Sequence, residues 1–310
     1  MNPSPEPASD AAAVHFQGVR KDFGELRAVS DLDLLIPRGS LYGILGPNGS
    51  GKTTAIRMLM GILKPDRGRV RLLGATPAEV RGRQVGYLPE ERGLYRKMRV
   101  LEQLVFLAEI RGVDRRTAQR RAQGWLDRLG LADRAGRRVD ELSKGMQQKV
   151  QFIGAILHEP ELLVLDEPFS GLDPINQDLL EEIVRELHAR GATLLFSTHL
   201  MDQAERLCDR ICLISRSRKI LEGEVRELRR REGRGIVAID FEGPRGWLAT
   251  PEVVHLEESA EGVRVRLREG TDADLLLRRA LDDGARISRF QRVEPRLHEI
   301  FVRAVGEAEG

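Results

Sequence analysis

Gly46-Pro47-Asn48-Gly49-Ser50-Gly51-Lys52-Thr53 is the stretch on which the reading of this chain turns. An apolar run at 41–45, a candidate strand, leads into it. Ile56, Leu59, Met60 and Leu63 follow at helical spacing until Lys64, Pro65, Asp66 and Gly68 break the pattern. A glycine-rich turn between strand and helix lets backbone N–H groups close around a polyphosphate, because no side chain blocks the approach. In this reading Lys52 reaches the β and γ phosphates, Thr53 offers a hydroxyl to Mg2+, and the positive end of the helix faces the anion.

Working outward, residues 162–165 form a continuous apolar run suited to a parallel strand buried on both faces, and it ends in Asp166-Glu167. A strand ending in carboxylates delivers Asp166 to the metal and leaves Glu167 toward the γ-phosphate, where it is the candidate base for an attacking water. Strand signals at 70–73, 85–88, 192–197 and 211–214 alternate with helical ones, including a helix opening at Pro174. That alternation predicts an α/β fold with a mainly parallel sheet and its ligands at the strands' C-terminal ends. Residues 100–157 lack a convincing strand and read as a helical insert with breaks near Gly112 and Gly136. From Gly223 the character changes to an arginine-rich helix, strands at 236–241, 263–267 and 287–293, and a helix at 275–281, predicting a small separate α+β domain.

Leu142-Ser143-Lys144-Gly145-Met146-Gln147-Gln148-Lys149, ending 17 residues before Asp166, resembles the signature of ATP-binding-cassette (ABC) ATPases. Tyr87-Leu88-Pro89-Glu90 resembles the family's loop between core and helical insert, Ser170-Gly171-Leu172-Asp173 its dimer-contacting loop, and His199 its switch histidine. Phe23 stands where the family stacks an aromatic on adenine. The resemblance spans about residues 14–222 and implies a P-loop NTPase core of ABC type, with an antiparallel β subdomain and a helical subdomain at about 90–158. It further implies that ATP lies between residues 46–54 of one copy, Thr54 included, and Ser143, Gly145 and Asp173 of a second copy. Lys52, Glu167 and His199 carry catalysis, and Thr53, Asp166 and Glu90 hold Mg2+. Three positions depart from the family pattern: Lys144 replaces a glycine, Met146 a glutamine and Glu90 a glutamine. Ser143 and Asp173 also read as N-caps of the helices that follow them, Phe23 as core and His199 as a helix cap.

The run from Tyr87 to Tyr95 and the segment Pro295-Arg296-Leu297-His298-Glu299-Ile300-Phe301 are similar to a branch of that family that powers exporters. Ile300 and Phe301 read as packing anchors of a terminal helix. The implied protein is the ATPase subunit of an exporter, cytoplasmic and peripheral on the inner membrane face, working with a separate transmembrane permease. The competing reading is a soluble cassette ATPase that remodels a ribosome or DNA.

Composition sets bounds. The chain has 310 residues, 41% hydrophobic and 32% charged, which suits a globular protein of one or two domains. No apolar run approaches 18 residues, so the chain itself is not expected to span a membrane. The formal charge of +2 gives no sign of a nucleic-acid partner. Residues 1–13 read as a disordered tail without a secretory pattern. Cys208 and Cys212, the two cysteines, read as reduced and structural. Nine arginines against three acids between Arg111 and Arg138 leave two readings open, a solvated helical face or a docking surface for a protein or lipid headgroup.

Overall fold

The computed structural model describes residues 12–80, 82–91, 93–258, 262–268 and 270–307. The chain forms two compact units, residues 1–222 and 223–310.

In the first unit, strands β1 (Ala12–Phe23) and β2 (Leu26–Pro37) pair antiparallel, and β4 (Arg67–Leu72) joins β1 on its other side, giving a three-stranded sheet. Ala12 and Ala13 were expected in the tail but belong to β1. Their small side chains are buried and Ala12 opposes Pro37, so burial of apolar surface outweighs the tail-like composition; residues 1–11 lie outside the described part.

The second sheet runs β5 (Val85–Leu88), β6 (Leu162–Asp166), β7 (Thr193–Thr198), β3 (Leu41–Leu45), β8 (Arg210–Ser215), β9 (Arg218–Glu224). The first five are parallel. Every residue of β3, β6 and β7 is buried, as a sheet covered on both faces requires. Parallel pairing aligns the C-terminal ends of β6, β7 and β3, and there the chain places its chemistry. Helix α1 (Lys52–Leu59) follows β3, and α5 (Pro174–Ala189) and α6 (Met201–Leu207) follow β6 and β7. Helical spacing extends to Leu63, yet α1 stops at Leu59 because Gly61 takes a left-handed φ of +69° and Met60 N–H closes on Ile56 O. Met60 and Leu63 still pack on the core.

Helices α2 (Val100–Glu109), α3 (Arg115–Arg128) and α4 (Lys144–Ile156) make up the insert. Eight of its nine arginines are engaged within the chain, Arg120 through a bond to Thr117 Oγ1 at 3.4 Å. Arg115 pairs with Glu109, Arg121 with Glu159, Arg128 with Glu186, Arg134 with Asp133, Arg137 with Glu141 and Arg138 with Asp140, while Arg111 donates to Gly154 O. Compensation on this scale matches a solvated face better than an open docking patch.

In the second unit, β10 (Ile236–Glu242), β11 (Val253–Glu258), β12 (Gly262–Leu267) and β13 (Arg286–Arg292) form an antiparallel sheet in the order β11-β12-β10-β13. Val237, Ile239, Val265, Trp247 and Leu276 of α8 (Ala273–Asp282) build its core. Helix α7 (Val225–Glu232) precedes the sheet, and α9 (Leu297–Glu307) closes the unit with Ile300 buried and Phe301 half-buried.

Candidate functional site

β3 delivers the chain into the Gly46–Thr53 turn at the sheet's C-terminal edge. Two of its glycines are dictated by space as well as by backbone. Gly46 has φ +152° and a Cβ there would lie 2.0 Å from Ile214 O; Gly51 has φ +109° and a Cβ there would lie 2.3 Å from Ala28 O. Pro47, Asn48 and Gly49 form the exposed rim, whereas Ser50 and Lys52 are buried and Thr53 and Thr54 half-buried on the first turn of α1. Lys52 Nζ donates to Gly46 O at 2.8 Å and Pro47 O at 3.1 Å. Burial lowers its pKa, and the nearby carboxylates of Glu167, Asp166 and Glu90 oppose that shift. A buried cation, a glycine turn and a helix N-terminus thus converge on one anion site.

Asp166, the last residue of β6, is fully buried. It opposes Ser197 in β7, whose hydroxyl donates to Asp166 Oδ1. The same hydroxyl accepts the backbone N–H of Glu167 at 3.2 Å. Glu167 has a left-handed φ of +49°, unusual for a side-chain-bearing residue, and this turn points its carboxylate across the strand end. There Glu167 Oε1 lies 3.0 Å from His199 Nδ1 and 4.0 Å from Lys52 Nζ. The carboxyl of Asp166 is pushed up by burial, and Glu90 and Glu167 add to the rise.

The donor set suits a divalent cation. Thr53 Oγ1 lies 3.4 Å from both Asp166 Oδ1 and Glu90 Oε2, and Asp166 Oδ2 is buried with no hydrogen-bond partner among the described residues. Among those residues no three His, Cys, Asp or Glu side chains form a closed metal cluster. Two carboxylates and a hydroxyl leave positions for phosphate oxygens and water, the pattern Mg2+ prefers.

Other sequence-predicted residues have different partners. Ser143 caps α4, its hydroxyl accepting Met146 N–H at 3.3 Å, and a Cβ on Gly145 would lie 3.6 Å from Gly171 O. Asp173 caps α5 by accepting Asn176 N–H at 3.1 Å, with Pro174 in the first turn. Among the described residues, the side-chain hydrogen bonds of Ser143 and Asp173 stay within their own helix caps and do not reach the Lys52–Glu167 cluster. Phe23, at the end of β1, is 47% exposed rather than core, with Lys21 Nζ 5.5 Å from its ring centre. Ser197 was not anticipated as a site residue, because its place opposite Asp166 is a matter of strand register and no motif marks it.

A model of the family "ABC transporter" matches residues 29–170, and one of the family "ATP-binding protein DrrA1-3-like, C-terminal domain" matches residues 223–305. The uncharacterized ABC transporter ATP-binding protein YhaQ of Bacillus subtilis is 42% identical over 289 residues, covering 93% of this chain and 97% of that protein. The chain belongs to the ATP-binding proteins of ABC transporters. This ATPase cassette is also 36% identical over 301 residues to Nod factor export ATP-binding protein I of Bradyrhizobium diazoefficiens, covering 95% and 96% of the two chains. Among solved structures, the ATP-binding subunit of an ABC transporter matches the cassette at 32% identity with a TM-score of 0.66, covering 71% of this chain and 93% of that one. Among the described residues, no helix is long and apolar enough to cross a membrane.

Proposed function

We propose that this cassette is the ATPase subunit of an exporter and works as an ATP-closed pair of copies on a separate transmembrane permease. The observation that carries the reading is Glu167, held by Ser197 on its backbone side and by His199 on its carboxylate side, next to Lys52 and Asp166. Residues 46–54 cradle the phosphates, and Phe23 stacks on the adenine with its exposed ring. Ser143, Gly145 and Asp173 meet the nucleotide bound by the other copy, at capped helix ends suited to an anion. Thr53, Asp166 and Glu90 would hold Mg2+, which would supply neutralisation of phosphate charge.

Water attacks the γ-phosphorus in line. Glu167 Oε1 takes its proton, the bond to the β-phosphate oxygen breaks, and ADP departs with that electron pair while Lys52 balances the developing charge. His199 holds the Glu167 carboxylate in place. Binding energy from both copies is available only in the closed pair, and loss of the γ-phosphate removes the shared contact, so each turnover moves the permease between two states. Exposed Tyr95, Phe106 and Ile110, the first two 5.9 Å apart edge to face, give the helical subdomain an apolar surface toward that permease. The relative named for Nod factor export supports export, and the match to the ABC transporter family supports placement on a membrane partner.

In steady-state ATPase assays Glu167→Gln lowers turnover by about 10² to 10⁴ while retaining nucleotide, and Lys52→Ala loses most nucleotide binding. Hydrolysis by Glu167→Gln at the wild-type rate contradicts the assignment.

A further inference from the structure

We infer that Gln148 and Gln151 of α4 are positioning residues that tie the signature turn to the hydrolytic centre of the same copy. The inference rests on the functional reading above, since it assumes that Ser143 touches the other copy's nucleotide. The two glutamines are three residues apart and share one face of the helix. Both are buried, yet neither packs against apolar groups alone. Gln148 Nε2 donates to Pro168 O at 3.0 Å, and Gln151 Nε2 donates to Pro89 O at 3.1 Å and Glu91 O at 3.2 Å.

These acceptors are the immediate neighbours of functional residues. Pro168 follows Glu167, and Pro89 and Glu91 flank Glu90, whose carboxylate lies 3.4 Å from Thr53 Oγ1. Gln151 spends both amide hydrogens on that loop and leaves its own buried Oε1 without a partner among the described residues. An amide unsatisfied on one side is a cost in stability, so its retention points to the geometry it holds. The N-terminal turn of the helix is fixed in the same way. Gln147 Nε2 donates to Val139 O at 3.1 Å and Leu142 O at 3.0 Å, the segment leading into Ser143. Helix α4 is therefore a bar with Ser143 at one end and both catalytic loops hydrogen-bonded along its side. A phosphate gripped by Ser143 acts on the placement of Glu167 and Glu90 through these amides.

The test replaces each glutamine by methionine, similar in length but without the donor, in the full chain. Gln148→Met and Gln151→Met lower kcat for MgATP by about tenfold and leave KM within about twofold, because the 46–54 cradle is untouched; misplacement of catalytic groups by about 1 Å suffices for such losses. A loss of packing alone would instead lower thermal stability with kcat per folded molecule unchanged, and that result overturns the inference. Ser143→Ala is then measured in the wild-type and Gln148→Met backgrounds. The inference expects a much smaller kcat loss in the second, and equal losses in both overturn it. Should Gln148→Met fail to fold, the same pair of measurements on Gln151→Met decides. Neither outcome bears on Glu167→Gln, so failure here leaves the hydrolytic assignment standing.

Discussion

A non-glycine residue in the left-handed region costs of order 1–3 kcal/mol unless its surroundings hold it there. At Glu167 the holding group is Ser197, whose hydroxyl receives the Glu167 N–H and donates to Asp166. Ser197→Ala removes both hydroxyl bonds with little change in volume and leaves only the Glu167 N–H bond to Ser197 O at 3.3 Å. It is expected to cost about 1–2 kcal/mol of stability and roughly tenfold in kcat per folded molecule, whereas Ser197→Thr, which keeps the hydroxyl, restores most of it. Urea unfolding and ATPase assays of the two variants check this, and wild-type kcat in Ser197→Ala contradicts it. A second residue makes stability depend on pH. His158 is buried with Nε2 3.0 Å from Val85 O, and burial, reinforced by Arg111, pushes its pKa down from 6.5 to about 4. Between those values the unfolded chain binds the proton and the folded one does not. Stability is therefore full above about pH 6.5 and falls toward pH 4, by on the order of 3 kcal/mol at most. Urea midpoints from pH 7.5 to 5 should fall less steeply in His158→Gln than in wild type, and equal slopes would remove His158 as the cause.

At the scale of elements, Ser143 and Asp173 cap their helices, and the proposed function gives each a second role that a substitution can separate from the first. Ser143→Asp keeps a side-chain oxygen for Met146 N–H and so holds the thermal stability of wild type within about 1 kcal/mol. In the proposed pair of copies it would also set a carboxylate against the other copy's γ-phosphate, and turnover is expected to collapse. Ser143→Ala loses the cap as well, at about 1 kcal/mol. Melting curves and ATPase rates of the two variants together test this, and full activity in Ser143→Asp would leave Ser143 with a cap's role alone. Much of this was legible in the sequence, since the phosphate turn, the Asp166-Glu167 strand end and both caps are local patterns of residue type. What was not legible depends on tertiary partners. β11 has no alternating signal because five of its six residues, Val254 to Glu258, are exposed. β9, with no buried residue, is set by the turn at Arg216 and Ser217, whose φ values of +45° and +67° a sequence pattern does not announce. Ser197, Gln148 and Gln151 gain their meaning from register and from carbonyls 20 to 62 residues away.

For the whole molecule, each unit has its own core, and the cassette's chemistry lies entirely in the first. Within one copy Lys52, Thr53, Asp166, Glu167 and His199 are assembled, while the side chains of Ser143 and Asp173 cap their own helices. In the proposed function such a cassette contains half of two sites, and ATP would complete them by joining two copies. That claim is tested most directly by light scattering on the Glu167→Gln chain saturated with MgATP. The account predicts a mass twice the 34.8 kDa of one chain, returning to the single mass when Ser143→Asp is added. A single-chain mass for Glu167→Gln with nucleotide demonstrably bound would contradict it.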